Sequence, residues 1–361
     1  MRLLIDIAHP AHVHFFRNFM RGMASRGHEI RITARDKEVT LALLDKYGFS
    51  YTNRGSIQRA VWKKALDLLR IDARLLRIAM EFRPDLLIGV HNPYIAHVGR
   101  LTGKPSLIFT DTEGVRIASI LTYPLASAIC TPSCFREEID PRKHVKYRGY
   151  KELAYLHPLY FTPRVEDLEE IGLTRSDPFI ILRFISWGAI HDTTLRGIRG
   201  GSEMEFVRSL EDFGRVLITS ERPLQGDLER YRIRISPEKI HSLLSFARLY
   251  IGEGGTMAAE AAVLGTPAIH IEADQSGHAT GESSGNFREL RDVYDLLSFF
   301  PDQESALQKA LAILQKGDSR AEWQRKREKL LSDKIDVTAW MMHFVEGFPG
   351  SMRALSQGSE P

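Results

Sequence analysis

Two cysteines are all this chain of 361 residues contains, Cys130 and Cys134, and that scarcity excludes a disulfide framework. Their spacing fits one helix face, but two thiols alone do not make a zinc site, and ordinary packing is the expectation for both. No apolar run reaches the ~20 residues that a membrane-spanning helix needs. Asp6 interrupts the first apolar run, Leu3-Leu4-Ile5, at once, so no secretory leader is expected. The expected location is the cytoplasm, with at most a peripheral contact at the inner membrane face. An excess of one charge is missing as well. Lys and Arg number 49 against 46 Asp and Glu, and the two signs are interleaved along the chain. A nucleic-acid binder would gather its basic residues on one face, so no nucleic-acid partner is expected. A dinucleotide fingerprint, Gly-x-Gly-x-x-Gly after the first strand, is also absent.

What is present is the balance of a soluble globular protein, 43% hydrophobic and 26% charged, at a length that suits two domains. Short apolar runs alternate with longer amphipathic stretches, which reads as α/β with parallel strands and crossover helices. Strands are expected from Leu3 to Ala8, Glu29 to Ala34, Phe49 to Thr52, Leu86 to Val90, Ser106 to Thr110 and Ala128 to Thr131. A second set follows from Phe179 to Phe184, Arg215 to Thr219, Leu249 to Gly252 and Ala268 to Ile271. Between Tyr150 and Pro178 the rhythm breaks into a proline-rich, polar stretch, read as the connection between domains. The expected division is an N-terminal domain over 1–160, a C-terminal domain over 161–320, helices over 321–350 packing back on the first domain, and a disordered tail over 351–361. Long helical patterns run from Glu304 to Gln315 and from Ala321 to Val345.

The strongest motif runs from Gly252 to Pro267, Gly-Glu-Gly-Gly-Thr-Met-Ala-Ala-Glu-Ala-Ala-Val-Leu-Gly-Thr-Pro. It leaves an apolar strand and opens a helix of strong formers. Gly254 and Gly255 let the backbone approach a ligand, and the helix start offers N–H groups and a positive dipole end to a pyrophosphate. Thr256 belongs to the same turn. Glu260 lies just over one turn on, where a carboxylate can accept hydrogen bonds from two ribose hydroxyls. Arg183, ending its strand, carries a guanidinium fork suited to diphosphate oxygens. Ser186, Trp187 and His191 follow it, and Arg222 is a second basic candidate.

Asp6-x-x-His9-Pro10-x-His12-x-His14 leaves the carboxyl end of the first strand, the edge that faces ligands in open α/β sheets. His12 or His14 as a general base is one reading, since imidazole titrates near neutrality. Zinc ligation is another, made awkward by the dense spacing. Simple capping of the following helix is the third.

The segment Gly254 to Pro267, together with Asp6 to Phe16, Gly27-His28-Glu29 and Thr33-Ala34-Arg35, is similar to the domain of unknown function 354 family. The glycine segment also resembles that of non-hydrolysing UDP-N-acetylglucosamine 2-epimerases and of the lipid-intermediate N-acetylglucosaminyltransferase of peptidoglycan synthesis. The resemblance implies a glycosyltransferase-B fold: two Rossmann-like domains facing across a cleft, the C-terminal one holding a sugar nucleotide. It implies a glycosyltransferase using a nucleoside diphosphate sugar, UDP-linked, with no metal and no further cofactor. A 2-epimerase is the alternative, although the epimerases' Asp-Ser-Gly-Gly and His-Arg patterns are not reproduced here. A non-catalytic sugar-nucleotide binder is the third. By the same resemblance Asp111 or Glu113 is expected to orient a histidine or move a proton, helix capping being the plainer use of such residues. The acceptor stays open, a lipid-linked one included, as does oligomeric state, a homodimer included. The segment from Arg59 to Arg83, with Lys63, Lys64, Arg70, Arg74 and Arg77 beside an apolar stripe, could rest on anionic lipid or simply be a solvated helix face.

Overall fold

Strands covered on both faces read as near-continuous apolar runs, and the first strand shows how strictly this holds. The computed structural model describes residues 1–56, 61–185, 198, 202–317 and 320–356. The chain divides into two compact units, Met1–Tyr160 with Lys334–Pro361, and Phe161–Asp333.

In the first unit β1 (Arg2–Ile7) buries Leu3, Leu4, Ile5 and Ile7, and with them one charged residue, Asp6. Helix α1 (Pro10–Ser25) starts where Pro10 supplies a helical φ and the His9 ring accepts the Ala11 N–H. Next come β2 (Glu29–Ala34), α2 (Thr40–Lys46), β3 (Thr52–Asn53), α3 (Val61–Phe82) and β4 (Leu86–Val90). Asn92 caps α4 (Pro93–Thr102), and β5 (Ser106–Phe109), α5 (Arg116–Thr122), β6 (Ala128–Pro132), β7 (His144–Tyr147) and α6 (Leu153–Leu156) follow. The sheet is parallel throughout, in the order β3-β2-β1-β4-β5-β6-β7. The order reverses beside β1, so the carboxyl ends of β1 and β4 flank a topological switch point. Right-handed crossovers put α1 and α2 on one face and α3, α4 and α5 on the other.

The second unit contains α7 (Glu166–Glu169), β8 (Phe179–Phe184), α8 (Glu203–Glu211), β9 (Arg215–Ser220), α9 (Ile240–Phe246) and β10 (Leu249–Gly252). It continues with α10 (Gly255–Val263), β11 (Ala268–Ile271), α11 (Gly285–Asp292), β12 (Leu297–Phe300), α12 (Gln303–Leu314) and α13 (Arg320–Asp333). Its parallel sheet has the order β12-β11-β10-β8-β9, with the reversal between β8 and β10.

Past Asp333 the chain belongs to the first unit, as α14 (Val337–Glu346) and α15 (Gly350–Ser356). Met341, Phe344 and Val345 are buried, the Thr338 hydroxyl donates to the Ala154 carbonyl, and Glu346 pairs with Arg26 and His28. The single helix expected from Ala321 to Val345 is in fact two. Asp336 accepts the Ala339 N–H and starts α14 afresh, while its second oxygen accepts a hydrogen bond from the Tyr160 hydroxyl at 2.6 Å. Gly350–Ser356 is helical where composition led to a disordered tail from 351 onward. Strands β7 and β12 were not expected, and α6 and α7 occupy the stretch read as irregular. Among the described residues no helix is long and apolar enough to cross a membrane.

Candidate functional site

Strand β10 ends at Gly252, in register with Arg183 of β8 at the switch point of the second sheet. A Cβ at 252 would stand 2.5 Å from the Arg183 Cβ and 2.6 Å from the Tyr250 hydroxyl, so only glycine fits. Gly254 has a φ of +83°, which favours glycine, and it is the N-cap of α10. No side chain caps that helix. The N–H groups of its first turn, Gly255, Thr256 and Met257, are therefore left for a ligand or solvent at the positive end of the dipole, and these residues are partly exposed. Such a turn takes phosphate. One turn further on, Glu260 is only 5% exposed and accepts the Nε2–H of His241 from α9 at 3.1 Å. Arg183 is ion-paired with Glu221, and Arg222 pairs with Glu203 at 2.6 Å while its guanidinium lies over the Phe184 ring.

In the first unit Asp6 ends in a closed network. Its carboxylate accepts from the Thr33 hydroxyl at 2.6 Å, from Arg54 Nε at 2.8 Å and from the Asn92 amide, all buried. His12 stays at the strand edge, partly exposed. Burial and the positive charges of His9, Lys151, Lys37 and Arg54 hold its pKa well below the usual imidazole value, so the ring is neutral at pH 7. The Ala8 N–H points at Nδ1 from 3.4 Å, which leaves the lone pair there and the ring proton on Nε2. His14, by contrast, is buried in helix packing. Its ring stacks on Tyr155 of α6 at 5.4 Å and its Nδ1 meets the Tyr47 hydroxyl, which also accepts from Arg17. Asp111 is ion-paired with Lys151 at 2.8 Å, and Glu113 accepts the Arg136 N–H at 3.3 Å. Neither caps α5, whose N-cap is Val115. Among the described residues no group of three or more His, Cys, Asp or Glu is placed to hold a metal ion.

Residues 1–276 match the family described as protein of unknown function DUF354. The chain belongs to that family. A relative from Methanocaldococcus jannaschii, the uncharacterized protein MJ0665, is 24% identical over 277 residues, 73% of this chain and 80% of that protein. The solved structure of UDP-GlcNAc 2-epimerase from Neisseria meningitidis bound to UDP-GlcNAc is similar with a TM-score of 0.62 at 11% identity, covering 95% of this chain and 98% of that one. Spinosyn rhamnosyltransferase SpnG complexed with thymidine diphosphate gives a TM-score of 0.62 at 15% identity, with 95% and 100% covered. At such identities the likeness shows the fold alone, the two Rossmann-like domains of the glycosyltransferase-B type.

The DUF354 chain thus gathers Arg183, Gly254, Gly255 and Thr256 at one strand edge, with Glu260 behind them in the helix packing. It places His12, Asp111 and Glu113 along the edge of the other sheet and takes His14 away from it. Ser186, Trp187, His191, Arg59 and the side chains of Lys63 and Lys64 lie outside the described residues. Glu253 and Glu272 were not singled out for chemistry from sequence, whereas His91, which with Asn92 follows the strand Leu86 to Val90, is legible there as a polar group at a strand end. Glu253, fully buried beside the glycine turn, accepts the N–H groups of Ile185 at 3.0 Å and Ile198 at 2.8 Å, and burial pushes its pKa up to about 7. Glu272, at the end of β11, is held by His270 and Thr280. His91 follows β4 with a φ of +42° and contacts the Thr110 and Ser119 hydroxyls. A polar residue directly after a buried apolar run is the signal that marks all three.

Proposed function

We propose that this DUF354 protein is a metal-independent glycosyltransferase that takes its sugar from a nucleoside diphosphate sugar, UDP-linked. The observation carrying this reading is the uncapped, partly exposed start of α10 at the switch point of the second sheet. The diphosphate sits on the N–H groups of Gly255 and Thr256, with the Thr256 hydroxyl and an edge of the Arg183 guanidinium beside it. Charge that develops on the departing diphosphate is met by the helix end and by that arginine, which removes the need for a metal. Glu260, whose side chain is 6% exposed, takes the ribose. Its bond to His241 fixes the rotamer.

A test follows from the geometry. Thr256→Glu puts a carboxylate where phosphate would lie. Because an acidic residue in a first turn suits the helix dipole, fold stability is expected to hold. Calorimetric titration with UDP, GDP and their sugar conjugates should show wild-type binding that Thr256→Glu weakens at least about 100-fold, by like-charge repulsion. No binding of any of them to folded wild type would sink the proposal.

His12 acts in this reading as a neutral donor from Nε2–H to a substrate oxygen; serving as the base would require the ring to turn over. Asp111 keeps Lys151 close to that ring, and the lysine's charge helps keep it neutral. His12→Gln retains an amide N–H in the place of Nε2 and should keep a substantial part of turnover, whereas His12→Ala should lose roughly 100-fold or more. Equal losses in both would assign the base role instead. Product analysis separates transfer from 2-epimerisation, and tight binding without turnover would leave a non-catalytic binder. A lipid-linked acceptor is the finer reading of the acceptor side.

A further inference from the structure

Helix α3 carries two apolar faces where its place in the fold requires one. Ile71, Leu75, Ile78, Ala79 and Phe82 face inward and join the core against Leu4, Leu87 and Ile95. On the outer side Leu69, Ala73 and Met80 recur at helical spacing, with Leu69 66% and Met80 65% exposed, and half-buried Leu76, which also packs on the core, lies at the margin. Between them stand Arg70, Arg74 and Arg77, all exposed, and none makes an ion pair with a described residue.

A second exposed stripe lies on α5, which packs on the same helix, α4, as α3 does. Ile117 and Ile120 of α5 are 73% and 70% exposed. His97 of α4 fixes the two helices relative to each other, bonding Asp72 of α3 through Nδ1 at 2.8 Å and the Leu121 carbonyl of α5 through Nε2 at 3.1 Å. Seven of the eleven large apolar side chains that are exposed among the described residues fall between Leu69 and Leu125, so the clustering belongs to this helix layer and not to the surface at large.

We infer that the outer face of α3 and α5 docks on an anionic phospholipid bilayer. The arginines alternate with the apolar stripe, so each can hold its head at lipid phosphates while Leu69, Met80, Ile117 and Ile120 enter the acyl boundary. With no helix able to cross the membrane among the described residues, the contact is peripheral. A second copy of the chain fits this face badly, because a two-fold contact would set the three arginines of α3 against their own equivalents. The inference needs no assumption about the reaction that the protein catalyses.

The test is co-sedimentation of the full chain with vesicles of phosphatidylcholine alone and of phosphatidylcholine mixed with phosphatidylglycerol. Wild type should sediment with the anionic vesicles only and be released by high salt. The triple variant Arg70→Gln/Arg74→Gln/Arg77→Gln should bind about 100-fold more weakly. Ile117→Ser/Ile120→Ser, changed where the side chains are exposed and the fold does not need them, should also bind more weakly with an unaltered circular dichroism spectrum. Folded wild type that stays in solution would overturn the inference. So would undiminished binding by the triple variant, or a dimer by light scattering that Ile117→Ser/Ile120→Ser disperses, which would make the occupant a second copy.

Discussion

Asp6→Asn is expected to destabilise the first unit by about 3–5 kcal/mol, the scale on which breaking a buried ion pair leaves one charge uncompensated. Arg54 is the charge left behind. Its side chain is 1% exposed, its Nε is bonded to Asp6 Oδ1, and its Nη1 has no other partner within the described structure. Thr33 and Arg54 share Oδ1, and the Asn92 amide takes Oδ2. Asparagine either keeps its oxygen at Oδ1 and sets its N–H₂ against the Asn92 amide, or turns over and faces both Thr33 and Arg54 with a donor. In both cases the charge opposite Arg54 is gone. Since a domain's stability is about 5–15 kcal/mol, the loss takes a large share of the total. Urea unfolding gives the size of the loss, and hydrogen exchange of the β1 and β4 amides shows whether it is local to this sheet. Asp6→Leu combined with Arg54→Met should recover part of it, because an apolar pair removes both charges together. A loss below about 1 kcal/mol would mean that the guanidinium reaches water and that the network is not what holds the strand ends together.

That prediction also shows where reading the sequence stopped. Asp6 stands in a stretch dense with histidines, and by residue type it belongs with them as a chemical group. Its real partner is 48 positions away in sequence, and nothing in local pattern connects them. The central strands were legible because burial on both faces makes them continuously apolar, as in Leu86–Val90 and Phe179–Phe184. β7 and β12 lie at sheet edges, are four residues long and mix polar with apolar side chains, so the same signal is missing. The glycine turn was legible because its requirements are local: a positive φ at Gly254 and no room for a Cβ at Gly252. Glu260 was placed correctly on its helix, but its burial depends on His241 of another helix, and His14 was turned inward by Tyr47 and Tyr155. Periodicity locates a residue along an element. It does not say which neighbouring element closes over it.

Relative to wild type, Glu253→Gln should gain about 2–3 kcal/mol of stability as pH rises from 5 to 8. Burial lifts the Glu253 carboxyl from its ordinary value near 4.5 to about 7, against the pull of two backbone N–H groups and of Arg222. The folded state therefore binds this proton more tightly than the unfolded chain does. Stability is greatest below about pH 4.5, falls as pH rises through the interval up to about 7, and stays at the lower level beyond it. Glutamine removes the ionisation at every pH, and because both Glu253 oxygens accept a backbone N–H while an amide has one acceptor, it adds a cost that does not depend on pH. The difference between the two proteins, measured by urea unfolding across pH 5 to 8, isolates this group from every other titration. A difference that does not change with pH would show the carboxylate to be ionised throughout, its burial offset by the N–H groups of Ile185 and Ile198. The outcome bears on the glycine turn directly. Glu253 precedes Gly254, and the same carboxylate ties two residues thirteen positions apart in the chain after β8 to the end of β10. Because the carboxyl has a folded pKa of about 7, a modest pH change near neutrality alters the charge two residues from the first N–H proposed to hold the diphosphate. Nucleotide affinity of wild type should accordingly fall between pH 6 and 8, and that of Glu253→Gln should not.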